Sequence, residues 1–121
     1  MQSDASSAPT VAEYVQYWLD LRKADLAENT YARYRTLARN QVVPYIGSIR
    51  LSELNAGRLA WLYEQLAAKG GAHGDPLRTA TIGQVHRFLH VCFERAADEG
   101  VLAHNPVDRV KSPRVAPIRE R

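Results

Sequence analysis

Four histidines, six tyrosines and one cysteine are the side chains in this sequence best suited to covalent or metal chemistry, and their spacing argues against both. Cutting a phosphodiester through a tyrosine needs several basic groups and a histidine around the scissile phosphate, including a His-x-x-Arg element. None of His73, His86, His90 and His104 has an arginine three residues on. Tyr14, Tyr31, Tyr34 and Tyr63 fall on or beside apolar stripes, the usual place of core tyrosines whose hydroxyls find a partner. No catalytic residue is expected. His86 and His90 are four apart and could share a metal on one helix face. No carboxylate or cysteine reads as a third or fourth ligand at a neighbouring turn, and Cys92 turns away from His90 by about 200° at ~100° per residue. Neither a metal nor a cofactor is expected. Cys92 itself, between Val91 and Phe93, reads as a small core residue. Gly70, Gly71 and Gly74 match no phosphate loop, lacking the lysine in which such a loop ends.

Two other groups of side chains point toward an anion. Asn29-Thr30 and Thr79-Ala80-Thr81 place amide or hydroxyl groups at helix starts, where orphan N–H groups and the helix dipole attract phosphate. Arg33, Arg35 and Arg39 follow the first start, whereas Arg78 precedes the second and Gln84 and Arg87 follow it, away from the apolar stripe. Such a face could hold DNA by its backbone and test base edges with Gln84 or an arginine. The competing view is bland: caps of this kind open most helices, and exposed arginines are simply solvated.

These residues need elements to position them. Thr10-Val11-Ala12-Glu13 has capping-box spacing, and Val11, Tyr14, Val15, Trp18 and Leu19 or Leu21 follow at helical intervals to about Lys23 or Ala24. Asn29 is expected to cap a second helix in which Tyr31, Tyr34, Leu37, Ala38 and Gln41 or Val42 share a face until Pro44 stops it. Pro44-Tyr45-Ile46-Gly47 reads as a turn, with Ile49, Leu51 and Leu54 packed under the bundle from a short irregular link. Asn55 can cap a third helix with Leu59, Leu62, Tyr63 and Leu66 inward, closed by a left-handed glycine at Gly70-Gly71. The segment from Gly70 to Arg78 reads as a surface loop. The longest helix starts at Thr79 or Ala80, buries Ile82, Val85, Leu89, Cys92, Phe93 and Ala96, and ends at Gly100. Asn105-Pro106 breaks the chain before one more turn over Val107 to Val110. Nothing reads as a strand and no repeat is visible, so the fold class is all-α, a compact bundle of four to five helices.

Composition agrees. The 121 residues suffice for one domain, and 45% hydrophobic with 24% charged residues is ordinary for a folded one. Residues 1–9 read as a flexible polar lead, residues 10–110 as the domain, and no apolar run approaches the ~20 residues of a membrane span. A soluble cytoplasmic protein, monomeric as a fragment, is expected. The net charge is +3, and 13 of the 16 basic residues are arginine, whose planar fork suits phosphate and guanine edges. They cluster in Arg22 to Arg39 and in Arg109 to Arg121, on either side of a nearly neutral middle.

The ordered set of motifs resembles a known family. Thr10-Val11-Ala12-Glu13-Tyr14 with Trp18-Leu19, Asn29-Thr30-Tyr31 with Arg33-Tyr34-Arg35, Val43-Pro44-Tyr45-Ile46-Gly47 and Leu51-Ser52-Glu53-Leu54 are similar to the SAM-like N-terminal, core-binding domain of phage integrases, the tyrosine recombinases. Thr81-Ile82, Val85-His86, Phe93 to Ala96 and the run Gly100-Val101-Leu102-Ala103-His104-Asn105-Pro106 resemble that domain's last long helix and exit. The resemblance implies a domain that clamps one side of the core recombination site on double-stranded DNA together with a catalytic domain and other integrase protomers, its second and fourth helices facing the major groove. Carried over, it implies DNA contacts at Asn29, Thr30 and Arg33 and at Thr79, Thr81, Gln84 and Arg87, and with the neighbouring basic residues Arg35, Arg78 and Lys111 these make up the expected DNA-binding set. Lys111 to Arg121 matches the start of a basic interdomain linker, and a catalytic domain would begin where the sequence ends. Gly57 and Gly83 depart from helical preference, each costing ~1 kcal/mol relative to alanine; at Gly83 a close approach to DNA is one reason to keep a glycine. A helical protein-interaction module of similar fold, without DNA binding, is the alternative.

Overall fold

The computed structural model describes residues 8–112, which form five α-helical segments and short 3-10 turns with no strand among them. Helix α1 runs Val11–Arg22 and opens on the expected capping box: Glu13 N–H donates to Thr10 Oγ1 (3.1 Å) and Thr10 N–H donates to Glu13 Oε1 (2.9 Å). The next two N–H groups are satisfied from elsewhere in the chain, Val11 by the Ile49 carbonyl (2.8 Å) and Ala12 by the Gly47 carbonyl (2.9 Å). This docks residues 47–51 on the start of α1, and an isolated bridge pairs Thr10 with Arg50.

Helix α2 spans Glu28–Leu37 and does not stop at Pro44 as expected. It passes through one π turn, Ala38–Val42, into α3, Val43–Ile46. Proline removes an N–H donor and crowds the carbonyl four residues back. The widened turn has already broken the regular bonding ladder at that point, so Pro44 sits harmlessly in the first turn of α3. The anticipated turn at Pro44 to Gly47 is therefore helical, and Gly47 is needed for closeness: a Cβ there would lie 2.5 Å from the Val43 carbonyl oxygen.

Asn55 caps α4, Ala56–Lys69, by accepting from Arg58 N–H at 2.9 Å. The residue after α4 is not left-handed. Gly70 keeps right-handed dihedrals (φ −79°, ψ −6°), and its lack of a side chain serves packing, since a Cβ would fall 2.7 Å from Leu66 Cα. Left-handed residues come later, at His73 and Gly74 in the exposed loop and at Gly100, which closes α5, Thr79–Asp98, as expected. Asn105 caps the final 3-10 turn, Pro106–Arg109, through Val107 N–H (3.0 Å).

All apolar stripe residues named for α1, α4 and α5 are buried except the alternative Leu21. Phe88 joins them unanticipated: it is fully buried and meets Trp18 edge-on at 5.8 Å and Tyr34 at 5.0 Å. A helix surrounded by neighbours needs a wider apolar arc than a surface helix shows. Cys92 is fully buried, and burial pushes its thiol far up, so it behaves as the small core residue expected. At the far end of α5, Glu99 accepts from Arg95 Nε (2.8 Å), Tyr14 OH (2.9 Å) and Tyr17 OH (2.9 Å), fastening α5 to α1. No helix among the described residues is long and apolar enough to cross a membrane.

Candidate nucleic-acid interface

Packing of Tyr34 on Phe88 brings α2 and the first half of α5 side by side, and their polar residues meet across the seam. Arg33 Nη1 donates to Gln84 Oε1 at 3.4 Å, a long and therefore weak bond between residues far apart in sequence. One shallow cleft there is lined by Thr30, Arg33, Tyr34, Gln84 and Arg87. A second, sharing Arg33 and Gln84 with it, takes in Asn29, Thr36, Asn40, Gln41 and Thr81. Six residues singled out from the sequence thus converge: Asn29, Thr30, Arg33, Thr81, Gln84 and Arg87.

Four others do not line these clefts. Arg35 lies on the α1 side, in a groove with Gln16, Tyr31 and Arg39; two residues along a helix turn a side chain by about 200° from Arg33. Arg78 is exposed and Thr79 half-buried at the start of α5, and Lys111 is exposed beyond the last 3-10 turn. The rest of the expected basic linker, residues 113–121, lies outside the described residues, as do residues 1–7 of the polar lead. Thr36, Asn40 and Gln41 were missed although the expected helix contains them, Gln41 standing there as an alternative to Val42 on the apolar face.

Of the two helix starts, that of α5 falls at Thr79 as expected and that of α2 differs. Asn29 does not cap α2, which begins one residue earlier at Glu28 behind Ala27, and Thr79 is the first helical residue of α5 behind Arg78. Neither start has a side-chain cap, whereas α1 and α4 both do.

The histidine pair does not converge on one ion. His86 Nδ1 bonds the Tyr63 hydroxyl at 2.8 Å, and burial, with the charges of His90 and Arg87, holds the His86 imidazole below its usual pKa. His90 instead lies beside two acids, Glu94 one turn on and Asp108 in the last 3-10 turn, correcting the expectation that no carboxylate stands at a neighbouring turn. Tyr14 and Tyr63 are core tyrosines with hydroxyl partners, their ionisation pushed up chiefly by burial.

Residues 10–57 match the family model described as the phage integrase N-terminal SAM-like domain. The chain is similar to the integrase-like domain of Bacillus cereus solved in solution, with 16% identity and a TM-score of 0.78 over 98% of this chain and 96% of that one. It is similar also to the phage integrase SAM-like domain from Moorella thermoacetica, at 29% identity and a TM-score of 0.72, covering 96% of this chain and 93% of that one. Among curated proteins, none matches the chain. This chain has the SAM-like fold of phage-integrase domains throughout its helices and carries that family's sequence pattern over residues 10–57.

Proposed function

We propose that this chain is a DNA-binding, core-site-gripping domain of a tyrosine-type phage integrase, and that it contributes to integration by holding one side of the recombination site. The observation that carries this reading is the meeting of Arg33 with Gln84 across the α2–α5 seam, flanked by Thr30, Arg87, Asn29 and Thr81. Arginine supplies a charged fork for phosphate or guanine, and a glutamine side chain carries the donor and acceptor that match an adenine edge. The Arg33 bond occupies only one of the two lone pairs on Gln84 Oε1, so the amide can still accept from a base while its NH2 donates. Arg33 is assigned to phosphate, and Gln84 or Arg87 to a base edge. Chemistry on the DNA belongs to a catalytic domain, and the integrase acts in the cytoplasm with other protomers.

A protein-interaction module is the second reading, and one feature favours it. Trp61 and Tyr45 meet edge-on at 6.4 Å beside Arg58 in a notch that shares no residue with the two clefts, and Trp61 is 45% exposed. Arg58 is therefore the control. Duplex DNA binding should weaken with salt at a log-log slope of about −0.9 per phosphate neutralised. Arg33→Ala should weaken every sequence alike and reduce that slope by about one, whereas Arg87→Ala should cost ~1–3 kcal/mol on the preferred sequence and less on others. Arg58→Ala should bind as the parent does. Absence of binding in low salt, or equal binding by all three variants, defeats the assignment and favours the interaction module.

A further inference from the structure

We propose that His90, Glu94 and Asp108 form a site for a zinc-class divalent cation that ties α5 to the Pro106–Arg109 turn. One ligand atom from each residue, an imidazole nitrogen and two carboxylate oxygens, lies within 4.8 Å of the others. His90 Nε2 is 3.1 Å from Asp108 Oδ1, near the edge of a tetrahedron whose ligands stand about 2.0–2.1 Å from a zinc ion. His90 and Glu94 share one face of α5 through their spacing of four, and Asp108 is brought to them by the 3-10 turn.

The surroundings are built to hold this arrangement. Asn105 is only 4% exposed; its Nδ2 donates to Glu94 Oε1 (3.0 Å) and to the His90 carbonyl (3.0 Å), while its Oδ1 accepts from Val107 N–H (3.0 Å). One buried side chain thus fixes the turn against the helix and orients the Glu94 carboxylate, as an outer-shell partner does at metal sites. Glu94 can keep that bond with one oxygen and offer the other to a cation. An ion pair between His90 and Asp108 accounts for only half of the cluster. A protonated imidazole compensates one carboxylate, whereas a divalent ion bound to the neutral imidazole compensates both. The nitrogen ligand selects the zinc class over magnesium or calcium, which prefer all-oxygen sets. Three protein ligands and a water complete four-coordination, and the bound ion would pin the chain just before Val110 and Lys111, where it leaves the bundle.

Zinc chloride titrated into the whole chain at neutral pH, followed by calorimetry and by imidazole 15N shifts, tests this. One equivalent should bind, His90 Nε2 should shift more than any nitrogen of His73, His86 or His104, and thermal stability should rise with zinc and fall back on chelation. Glu94→Gln and Asp108→Asn, both at exposed positions, should each weaken binding by about tenfold or more. Magnesium chloride should leave the His90 ring unmoved. No heat and no His90 shift at millimolar zinc overturns the proposal, and so does undiminished binding in both variants, which would put the ion elsewhere.

Discussion

Gly83 separates what the fold needs from what a bound partner needs. It is an interior residue of α5, and a Cβ built there meets nothing within 4 Å. Glycine inside a helix is less favourable than alanine by roughly 0.5–1 kcal/mol, because it surrenders more backbone freedom on folding. Gly83→Ala should therefore raise stability by about that amount, seen as a melting shift of several degrees at roughly 4–8 °C per kcal/mol. Gly57 is the contrast, since a Cβ there comes within 3.3 Å of Asn55 Oδ1, the oxygen that caps α4, and Gly57→Ala should gain less. Position 83 adjoins Gln84 at the cleft, so DNA seated there would meet the added methyl. A methyl without room costs ~1–3 kcal/mol in a packed setting, or about 5- to 150-fold in affinity. Denaturant melts and duplex titrations on the same variant read the two effects separately. A destabilised Gly83→Ala would contradict the open space around that residue. A stabilised variant with unchanged affinity would show that DNA does not approach the backbone at Gly83.

Trp18 is fully buried against Tyr34 and Phe88, and its Nε1 is a buried donor without a partner among the described residues. Trp18→Ala should cost ~3–5 kcal/mol, while Trp18→Phe should cost well under half of that because it also removes an unpaired N–H worth ~1–3 kcal/mol; equal losses in urea melts would refute this account of the indole. The bond from Arg95, with those from Tyr17 and Tyr14, holds the Glu99 carboxyl below its ordinary value of 4.5. A depressed folded pKa contributes stability that is present above 4.5 and is lost as pH falls through the folded value. Glu99→Gln should thus be less stable than the parent at pH 7, the gap should close in acid below pH 4.5, and a gap independent of pH would point to a steric effect of the substitution.

What was legible in the sequence was mostly what short stretches decide. Thr10 with Glu13, Asn55 before Ala56, and Gly100 after α5 are local rules, and each appears in the structure as expected. The errors arise where tertiary contact outweighs a local rule. Pro44 stops a regular helix, but not one already widened by a π turn that packs Leu37, Ala38 and Val42 into the core. Gly70 signals a left-handed end, but here the neighbour Leu66 demands the missing side chain. The candidate site divides in the same way. Arg33 and Gln84 could be picked out as polar residues on helices, but their meeting depends on how α2 packs on α5, and only the family resemblance paired those helices beforehand. The separation of Arg35 from Arg33 follows from helix geometry alone, a half-turn between the two. Glu94 was likewise visible four residues after His90, whereas Asp108 depends on the fold to arrive.

The distribution of contacts along α5 explains how one helix can serve both as a support and as a binding surface. At 20 residues it is about 30 Å long, so its two ends occupy separate environments. The second half is fastened by the bonds of Glu99 to Arg95, Tyr14 and Tyr17 and by the bonds of Asn105 to Glu94 and the His90 carbonyl. The first half begins without a side-chain cap and carries Thr81, Gln84 and Arg87 to the seam with α2, where the polar contact between the helices is one long hydrogen bond. Recognition groups perform best when their own element is rigid and their side chains remain available, because little ordering is then left for the moment of binding. Strong bonds at the cleft would have to be broken before DNA could enter, and a loose far end would let the cleft shift. The arrangement avoids both: the short bonds of α5, including that of His86 to Tyr63 on α4, hold the helix from other sides, and the hydrogen bond across the cleft itself is the weak one.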